Sequence, residues 1–337
     1  MDLRSLRDHW FTKPLFLALQ WIAWRPCIRA LRYTSYDRFR MKRAAWFRGA
    51  RTKENATARI VMQYHVLEKG LTMPARRSNF GHKAILALAA DCEAYVRDFG
   101  ETLQVLHAVG TLRAYDALHD AAARAEDPAF WEPFTAALGR LPTVPPAVEP
   151  HTTREAFYAA NKADFATFAR SRHTLRHYAG PLSIERIRAA AELAFETAPS
   201  ACNRQHVRLR CIGDHDLRDK ILALQGGARG FGHLADKLLV ITADLDDTVM
   251  AEEHNDVYVE GGIFLMNLCY ALHYHRIAHC VLNWFCNRDG DQTLRALVPS
   301  IRETEVVVAF ISCGEAPEEF DVAASPRRPF DEVYAEV

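Results

Sequence analysis

The chain reads RSRHTLRHY over residues 170–178 and APSACNRQ over residues 198–205, and the length of one amphipathic helix separates the two segments. In an extended backbone alternate side chains point the same way, so Arg172, Thr174 and Arg176 would share one side. Two guanidinium groups and a hydroxyl on one side can bind a phosphate dianion through charge-assisted hydrogen bonds. The alternative interpretation is a solvated basic stretch ahead of a helix.

The second segment has the composition of a loop that lies close to a ligand. Pro199 and Ser200 follow a predicted helix that begins after Ser183 and reaches Thr197, and small and polar residues continue the run. Asn203 offers both a donor and an acceptor, which suits the polar edge of a flat heterocycle. The alternative is an ordinary helix end, for which the Pro-Ser pair alone would suffice.

Three further motifs follow in order along the chain. Residues 260–262 read EGG near the start of an apolar helix predicted over 257–274, residues 305–311 read EVVVAFI, and residues 326–330 read PRRPF. Together with the two basic and polar segments, this series resembles the nitroreductase family of FMN-dependent oxidoreductases. The resemblance covers residues 155–337, and it rests on the order and spacing of the motifs rather than on any one of them.

The predicted fold class is α+β. Helical patterns separate isolated strand patterns after residue 151, which is typical of a layered α+β arrangement. No GxGxxG follows a strand, which argues against a Rossmann dinucleotide domain. The resemblance implies an α/β/α sandwich with a mixed sheet.

The resemblance also implies a site for the FMN phosphate and ribityl chain. Arg172, His173 and Thr174 would bind them, with Arg327 or Arg328 returning from the C-terminus to the phosphate. Surface charge is the alternative for this basic set.

Two residues, Arg176 and Asn203, are expected nearest the reacting part of the flavin, and we predict them as the catalytic residues. In the family a basic residue at the position of Arg176 lies near flavin N1 and the C2 carbonyl. A cation there stabilises the negative charge that hydride arrival at N5 creates. Pro199, Ser200 and Gln205 complete this predicted part of the cofactor site.

A last pair of candidates, Asn283 and Trp284, ends a predicted strand at residues 278–282. In relatives, backbone amides at the matching turn reach flavin N5 and O4. Trp284 could flank the flavin or the substrate, or it could be a core residue. The chain departs from the family where His206 and Val207 replace the Pro-Trp that commonly follows the Gln, which puts the usual substrate contacts in doubt.

The activity that the resemblance implies is ping-pong hydride transfer. NADH or NADPH would reduce FMN, and the reduced flavin would pass electrons to a small acceptor such as a quinone or a nitro compound. Relatives are homodimers with FMN at the subunit interface, and the apolar helix over 257–274 could form such an interface. The alternatives are a flavin-binding scaffold without turnover, peripheral to a membrane-bound glycan assembly, and an interaction protein that binds no flavin.

The chain divides into four predicted parts. Residues 1–53 form a basic, Trp-rich segment, residues 54–140 a helical domain, residues 141–150 a linker with four prolines, and residues 151–337 the FMN domain. In the second part, apolar spacing near 3.6 predicts helices over 54–67, 83–99, 102–123 and 128–138. Residues 64–71 resemble an extension found on nitroreductase-like proteins encoded among polysaccharide-biosynthesis genes, and this helical part could cap the site.

The first segment carries 13 Lys and Arg against three Asp, so the rest of this chain of zero net charge has the matching acidic excess. It could lie on an anionic membrane surface or pack on the acidic remainder. Nucleic acid is not expected, because no readout motif accompanies the charge.

Cysteine usage and hydropathy predict a cytoplasmic protein, which could also contact the inner face of the membrane. The eight Cys are scattered without a repeated CxxC, and no membrane-spanning run or signal sequence is evident. Cys202 has no paired base nearby, which argues against thiol catalysis. No metal is expected: the pair His65 and Glu68 could share a helical face, but no second pair completes a site.

Overall fold

The computed structural model describes residues 26–44, 52–76, 79–148 and 150–337. Within these ranges the α-helices are α1 (Pro26–Ala44), α2 (Lys53–Leu71), α3 (His82–Phe99), α4 (Leu103–Ala117), α5 (Ala121–Ala125), α6 (Pro128–Arg140), α7 (Arg154–Tyr158), α8 (Phe165–Ser171), α9 (Ile184–Thr197), α10 (His215–Gln225), α11 (Asp256–Tyr274) and α12 (Arg288–Leu297). The strands are β1 (His151–Thr153), β2 (Val207–Ile212), β3 (Lys237–Asp244), β4 (Ala278–Leu282), β5 (Glu305–Gly314) and β6 (Glu319–Asp321).

Helices α2 to α6 form a helical region with a core of its own. Helices α2 and α6 begin at polar side-chain caps: the Thr52 hydroxyl accepts from Asn55 N in α2, and the Asp127 carboxylate accepts from Phe130 N in α6. The core contains an aromatic group in which Tyr115 stacks on Trp131 and meets Phe134 edge to face. These rings are buried, so the helical region does not depend on the sheet for its interior.

The second region, residues 151–337, is built on a four-stranded sheet with the order β2-β3-β5-β4. Strand β3 is buried on both faces, and its alternation divides the core in two. Leu238 and Val240 belong to the core on the side of α10 and α12, whereas Leu239 and Ile241 belong to the core shared with α9 and α11. Helices therefore cover both faces, and the region is an α/β/α sandwich.

The predicted α+β class is confirmed by this arrangement of helices around a sheet. One detail differs from the expectation, because every pairing among the described strands is antiparallel, whereas we expected a mixed sheet. Periodicity indicates which residues form strands, but strand direction depends on long connections that periodicity does not describe.

The two regions are joined by the proline-rich stretch predicted as a linker. Its described part is neither helix nor strand and lies against the helical region, where Ala147 N donates to Gly110 O at 2.9 Å. The chain then enters β1, which pairs with β6 near the C-terminus, so that His151 is opposite Asp321. The start of the sheet region and its exit toward the C-terminus are therefore neighbours.

Of the basic segment predicted over residues 1–53, the structure describes residues 26–44 and 52–53. Helix α1 contacts the sheet region where Asp37 Oδ2 lies 2.7 Å from His254 Nε2. The predicted membrane contact falls largely on residues outside the described ranges. Among the described helices, none combines the length and the hydropathy that crossing a bilayer requires.

Candidate ligand site between the helical and sheet regions

A cavity of about 650 Å³ lies where helix α2 faces the sheet region. Its volume falls within the roughly 300–1,000 Å³ typical of sites for small ligands. Three parts of the chain form its walls, namely α2, the end of α8 with the segment that follows it, and residues 323–327. The lining residues are Val61, Tyr64, His65, Glu68, Ala169, Arg170, Arg172, His173, Thr174, Arg176, Ala323, Ala324, Ser325, Pro326 and Arg327.

The segment from Arg172 to Arg176 forms the basic wall. It runs beside β4, where Leu175 N donates to His279 O at 3.0 Å. The Leu175 side chain enters the core, while Thr174 and Arg176 line the cavity. The backbone is extended at Arg172, and Arg172, Thr174 and Arg176 line one cavity, but the intervening His173 lines it as well, so alternation alone does not account for the grouping.

Arg172 is half-buried and has no hydrogen-bond or ion-pair partner within the described part of the chain. Two buried imidazoles behind it respond to its charge. Burial, then the neighbouring His279 and the charge of Arg172, lower the pKa of His273 to about 3, and burial with the charge of Arg172 lowers the pKa of His279 to about 4. Both histidines are therefore neutral at physiological pH and do not compete with Arg172 for an anion.

Helix α2 supplies the opposite wall and contacts the second arginine. His65 Nε2 lies 3.4 Å from Arg176 Nη2. A guanidinium group only donates, so the His65 nitrogen accepts, and its other nitrogen faces Glu68 Oε2 at 3.5 Å. Burial and then the charge of Arg176 lower the pKa of Lys69, one helical turn beyond His65. Cations from both regions thus meet here.

Glu68 is the one carboxylate among the lining residues, and it is 0% exposed. Burial alone would raise its pKa, but hydrogen bonds from His107 and His65 outweigh burial and lower the pKa to about 2. The His107 Nε2 contact is 2.7 Å long. Glu68 is therefore ionised and already bonded within the protein.

The two C-terminal arginines line different cavities. Arg327 lines this cavity, whereas Arg328 lines a second, smaller cavity of about 200 Å³, with Lys53, Glu54 and Gln104 among its neighbours. Of the two alternatives that the sequence left open for the phosphate, the geometry places Arg327 with Arg172.

The second predicted segment lies elsewhere. Pro199, Ser200, Asn203 and Gln205 are not among the lining residues of the cavity in the described part of the chain. Their loop has an unusual backbone, because the non-glycine residues Cys202, Asn203 and Gln205 all have positive φ, at 51°, 57° and 60°. Such strain persists only where the surroundings hold it, and it concentrates at functional sites.

Glu260, at the start of α11, holds this loop. Its Oε2 accepts from the Ser200 hydroxyl at 2.8 Å, and its Oε1 accepts from Ala201 N at 2.7 Å. The buried His206 Nδ1 lies 2.8 Å from Oε2. The Ser200 hydroxyl in turn accepts from Gln205 N at 2.8 Å, so one carboxylate fixes both ends of the loop.

The remaining predicted residues lie outside the cavity. Asn283 accepts from Gln225 Nε2 through its side-chain and backbone oxygens, at 3.1 and 3.0 Å. Trp284 packs against the core, with its ring centroid 5.2 Å from that of Phe310 and nearly perpendicular to it. The core alternative for Trp284 therefore agrees with its position.

Sequence reasoning did not assign Tyr64, His65 or Glu68 to the ligand site. They lie about a hundred residues from the basic segment and belong to a different region. The sequence feature that could have pointed to them is the pair His65 and Glu68 on one helical face, because a carboxylate on a buried face needs partners.

No sequence model of a known family matches this chain, and no curated protein matches it. Solved structures with a similar fold include a provisionally assigned NAD(P)H:FMN oxidoreductase from Staphylococcus epidermidis, which is 16% identical with a TM-score of 0.46 over 52% of this chain and 96% of that one. A provisionally assigned nitroreductase in complex with FMN from Desulfovibrio desulfuricans is 22% identical, with a TM-score of 0.43 over 52% and 98%. B. megaterium NfrA2 is 18% identical, with a TM-score of 0.43 over 50% and 72%. At these scores the likenesses do not establish the activity of this chain.

Proposed function

We propose that this protein is an FMN-dependent oxidoreductase that binds the flavin phosphate in the cavity between α2 and the sheet region. The observation that carries the proposal is the half-buried Arg172, whose side chain has no partner among the described residues, beside Thr174 and Arg176 in a cavity of ligand size. A partly buried cation without a counter-ion is less well solvated than one in open water, so an anionic ligand would stabilise it. The resemblance of the same segment to the nitroreductase family supports a flavin phosphate as that anion.

In this proposal Arg172, Thr174 and Arg327 bind the phosphate, and Arg176 faces the part of the flavin where negative charge accumulates. Bound FMN would supply the hydride chemistry, with NADH or NADPH as the donor and a quinone, nitro or other conjugated compound as the acceptor. His65 holds the Arg176 guanidinium from the side of α2. The helical region would therefore limit which acceptors reach the site.

We also propose that a second copy of the chain completes the site. The loop at residues 199–205 is held in a strained conformation by Glu260 and lies outside the cavity of its own chain. Helix α11, which begins beside that loop, has an exposed apolar face that includes Tyr258, Val259 and Ile263. A homodimer that buries this face would let the loop of one subunit reach the flavin bound by the other, with Asn203 at the pyrimidine edge.

An absorbance spectrum tests the proposed function. The purified protein is incubated with FMN, desalted, and then mixed anaerobically with NADPH or NADH. We expect retained flavin bands that the nicotinamide bleaches. Retained bands that neither nicotinamide bleaches would favour the flavin-binding scaffold, and a colourless protein would contradict flavin binding altogether.

The two C-terminal arginines allow a matched comparison. We expect Arg327→Ala to weaken FMN binding about tenfold, because a charge-assisted hydrogen bond to the phosphate is lost at an exposed position. Arg328→Ala removes the same charge one residue away, and we expect little change because Arg328 lines the other cavity. Fluorescence quenching of FMN measures both dissociation constants. Equal losses for the two variants would contradict the assignment of Arg327.

A further inference from the structure

Residues 322–328, here called the strap, leave β6 and cross to the helical region. The strap begins at the sheet region, where Val322 N donates to Pro150 O at 2.9 Å. It then meets the helical region twice: Gln104 Nε2 in α4 donates to Pro326 O at 3.3 Å, and Glu68 in α2 accepts from Ser325.

Glu68 binds Ser325 through both of its oxygens. Oε1 accepts from the Ser325 backbone N–H at 3.3 Å, and Oε2 accepts from the Ser325 hydroxyl at 3.4 Å. Ser325 has φ of 41°, a left-handed conformation that a non-glycine residue adopts only when its surroundings enforce it. The Glu68 carboxylate contacts both hydrogen-bond donors of this residue, and it is itself bound by His107 on α4.

The peptide of Ser325 also binds Arg327. Arg327 Nη1 donates to Ser325 O at 2.8 Å. Ser325 is therefore bonded at its N–H by Glu68 and at its carbonyl by Arg327. A chain of contacts from Glu68 through Ser325 to Arg327 connects helix α2 to the cation that lines the cavity.

We infer that Glu68 is a positioning residue, which holds the strap so that Arg327 meets the anionic end of the ligand. The inference rests on the proposed function for the identity of that ligand. An isolated carboxylate in this cavity would repel a phosphate, but Glu68 is engaged by two imidazoles and by the strap. When Glu68 is replaced, the affinity for the phosphate that is lost with the strap geometry should therefore exceed the affinity gained by removing the repulsion.

The test compares FMN with riboflavin, which lacks the phosphate. In the full-length protein we expect Glu68→Gln to weaken FMN binding about tenfold, with a smaller loss for riboflavin, because Glu68 also contacts the His65 that holds Arg176. The amide keeps the size of the side chain but replaces one accepting oxygen with a donor. Glu93→Gln is the matched control, since Glu93 is on the surface of the same region, paired with Arg140 at 3.0 Å.

A double-mutant cycle separates positioning from a general structural effect. If Glu68 acts through Arg327, Glu68→Gln in an Arg327→Ala background should add at most about a twofold further loss of FMN affinity. Full additivity of the two losses, equal weakening of FMN and riboflavin, or unchanged or tighter FMN binding by Glu68→Gln would each overturn the inference.

A second variant tests the inference even if Glu68→Gln does not fold, and a second readout, amide hydrogen exchange, tests it without flavin. Ser325→Pro removes the N–H donor and cannot adopt a φ of 41°, and we expect the same selective loss of FMN affinity. Amide hydrogen exchange over the strap should become faster in both variants. If the parent binds neither flavin but exchange still accelerates, the proposed function fails while the Glu68 contact to the strap stands. Unchanged exchange would overturn the positioning role.

Discussion

Arg172→Ala should weaken FMN binding by about 2–3 kcal/mol, or roughly 30- to 150-fold, without destabilising the flavin-free protein. Arg172 would form charge-assisted hydrogen bonds with the phosphate, and such bonds contribute more than neutral ones. In the free protein the same guanidinium is half-buried and has no partner in the described ranges, so its removal breaks no internal bond. Binding and stability are thus expected to separate at this residue.

Fluorescence titration gives the dissociation constants, and a thermal melt without flavin gives the stability. Arg188→Ala is the control, because Arg188 lies on the exposed side of α9, where it pairs with Glu192 at 2.8 Å. Riboflavin should lose little affinity in Arg172→Ala. Parent-like FMN affinity would place the phosphate elsewhere, and a large drop in melting temperature would mean that Arg172 has a structural role.

The second large effect is expected at Glu260. Burial would raise the pKa of this carboxyl, but hydrogen bonds from His206, Ser200 and the Ala201 amide outweigh it and lower the pKa below its ordinary value. Glu260→Ala removes a buried anion and leaves three donors without their acceptor. We expect a loss of about 2–4 kcal/mol in the free energy of unfolding.

Glu260→Ala should also release the strained loop. Without its acceptor, the Ser200 hydroxyl no longer fixes Gln205 N, and the positive φ values at residues 202, 203 and 205 lose their support. Urea unfolding measures the stability, and FMN titration of the folded fraction measures the effect on the site. Glu192→Ala, on the exposed face of α9, is the control. Full stability together with full FMN affinity would contradict the role of Glu260.

Local sequence pattern was sufficient to predict most helices and strands, and it failed where tertiary contacts determine the structure. Apolar spacing predicts α2, α3 and α6 within a few residues of their observed bounds. The helix expected over 102–123 instead ends at Ala117, and a new short helix starts after Asp120, whose carboxylate accepts from Ala123 N. Asp at such a position caps a helix, but periodicity alone does not register the interruption.

The candidate site likewise has one part that local pattern predicts and another that depends on tertiary contacts. The alternation of Arg172, Thr174 and Arg176 is a local property, and the structure places all three side chains on one cavity. The contribution of His65 and Glu68 depends on how α2 docks, which no local pattern describes. Similarly, the left-handed residues of the 199–205 loop include no glycine, so composition gives no sign of their backbone.

The pairing of β1 with β6 affects how the two regions of the molecule, helical and sheet, share the cavity. Because the chain enters and leaves the sheet region at adjacent positions, the linker to the helical region and the strap that bears Arg327 start from one point. Arg327 is fastened to α2 through Ser325, whereas Arg172 belongs to the body of the sheet region. An anion held by both arginines would therefore cross-link the two halves of the molecule.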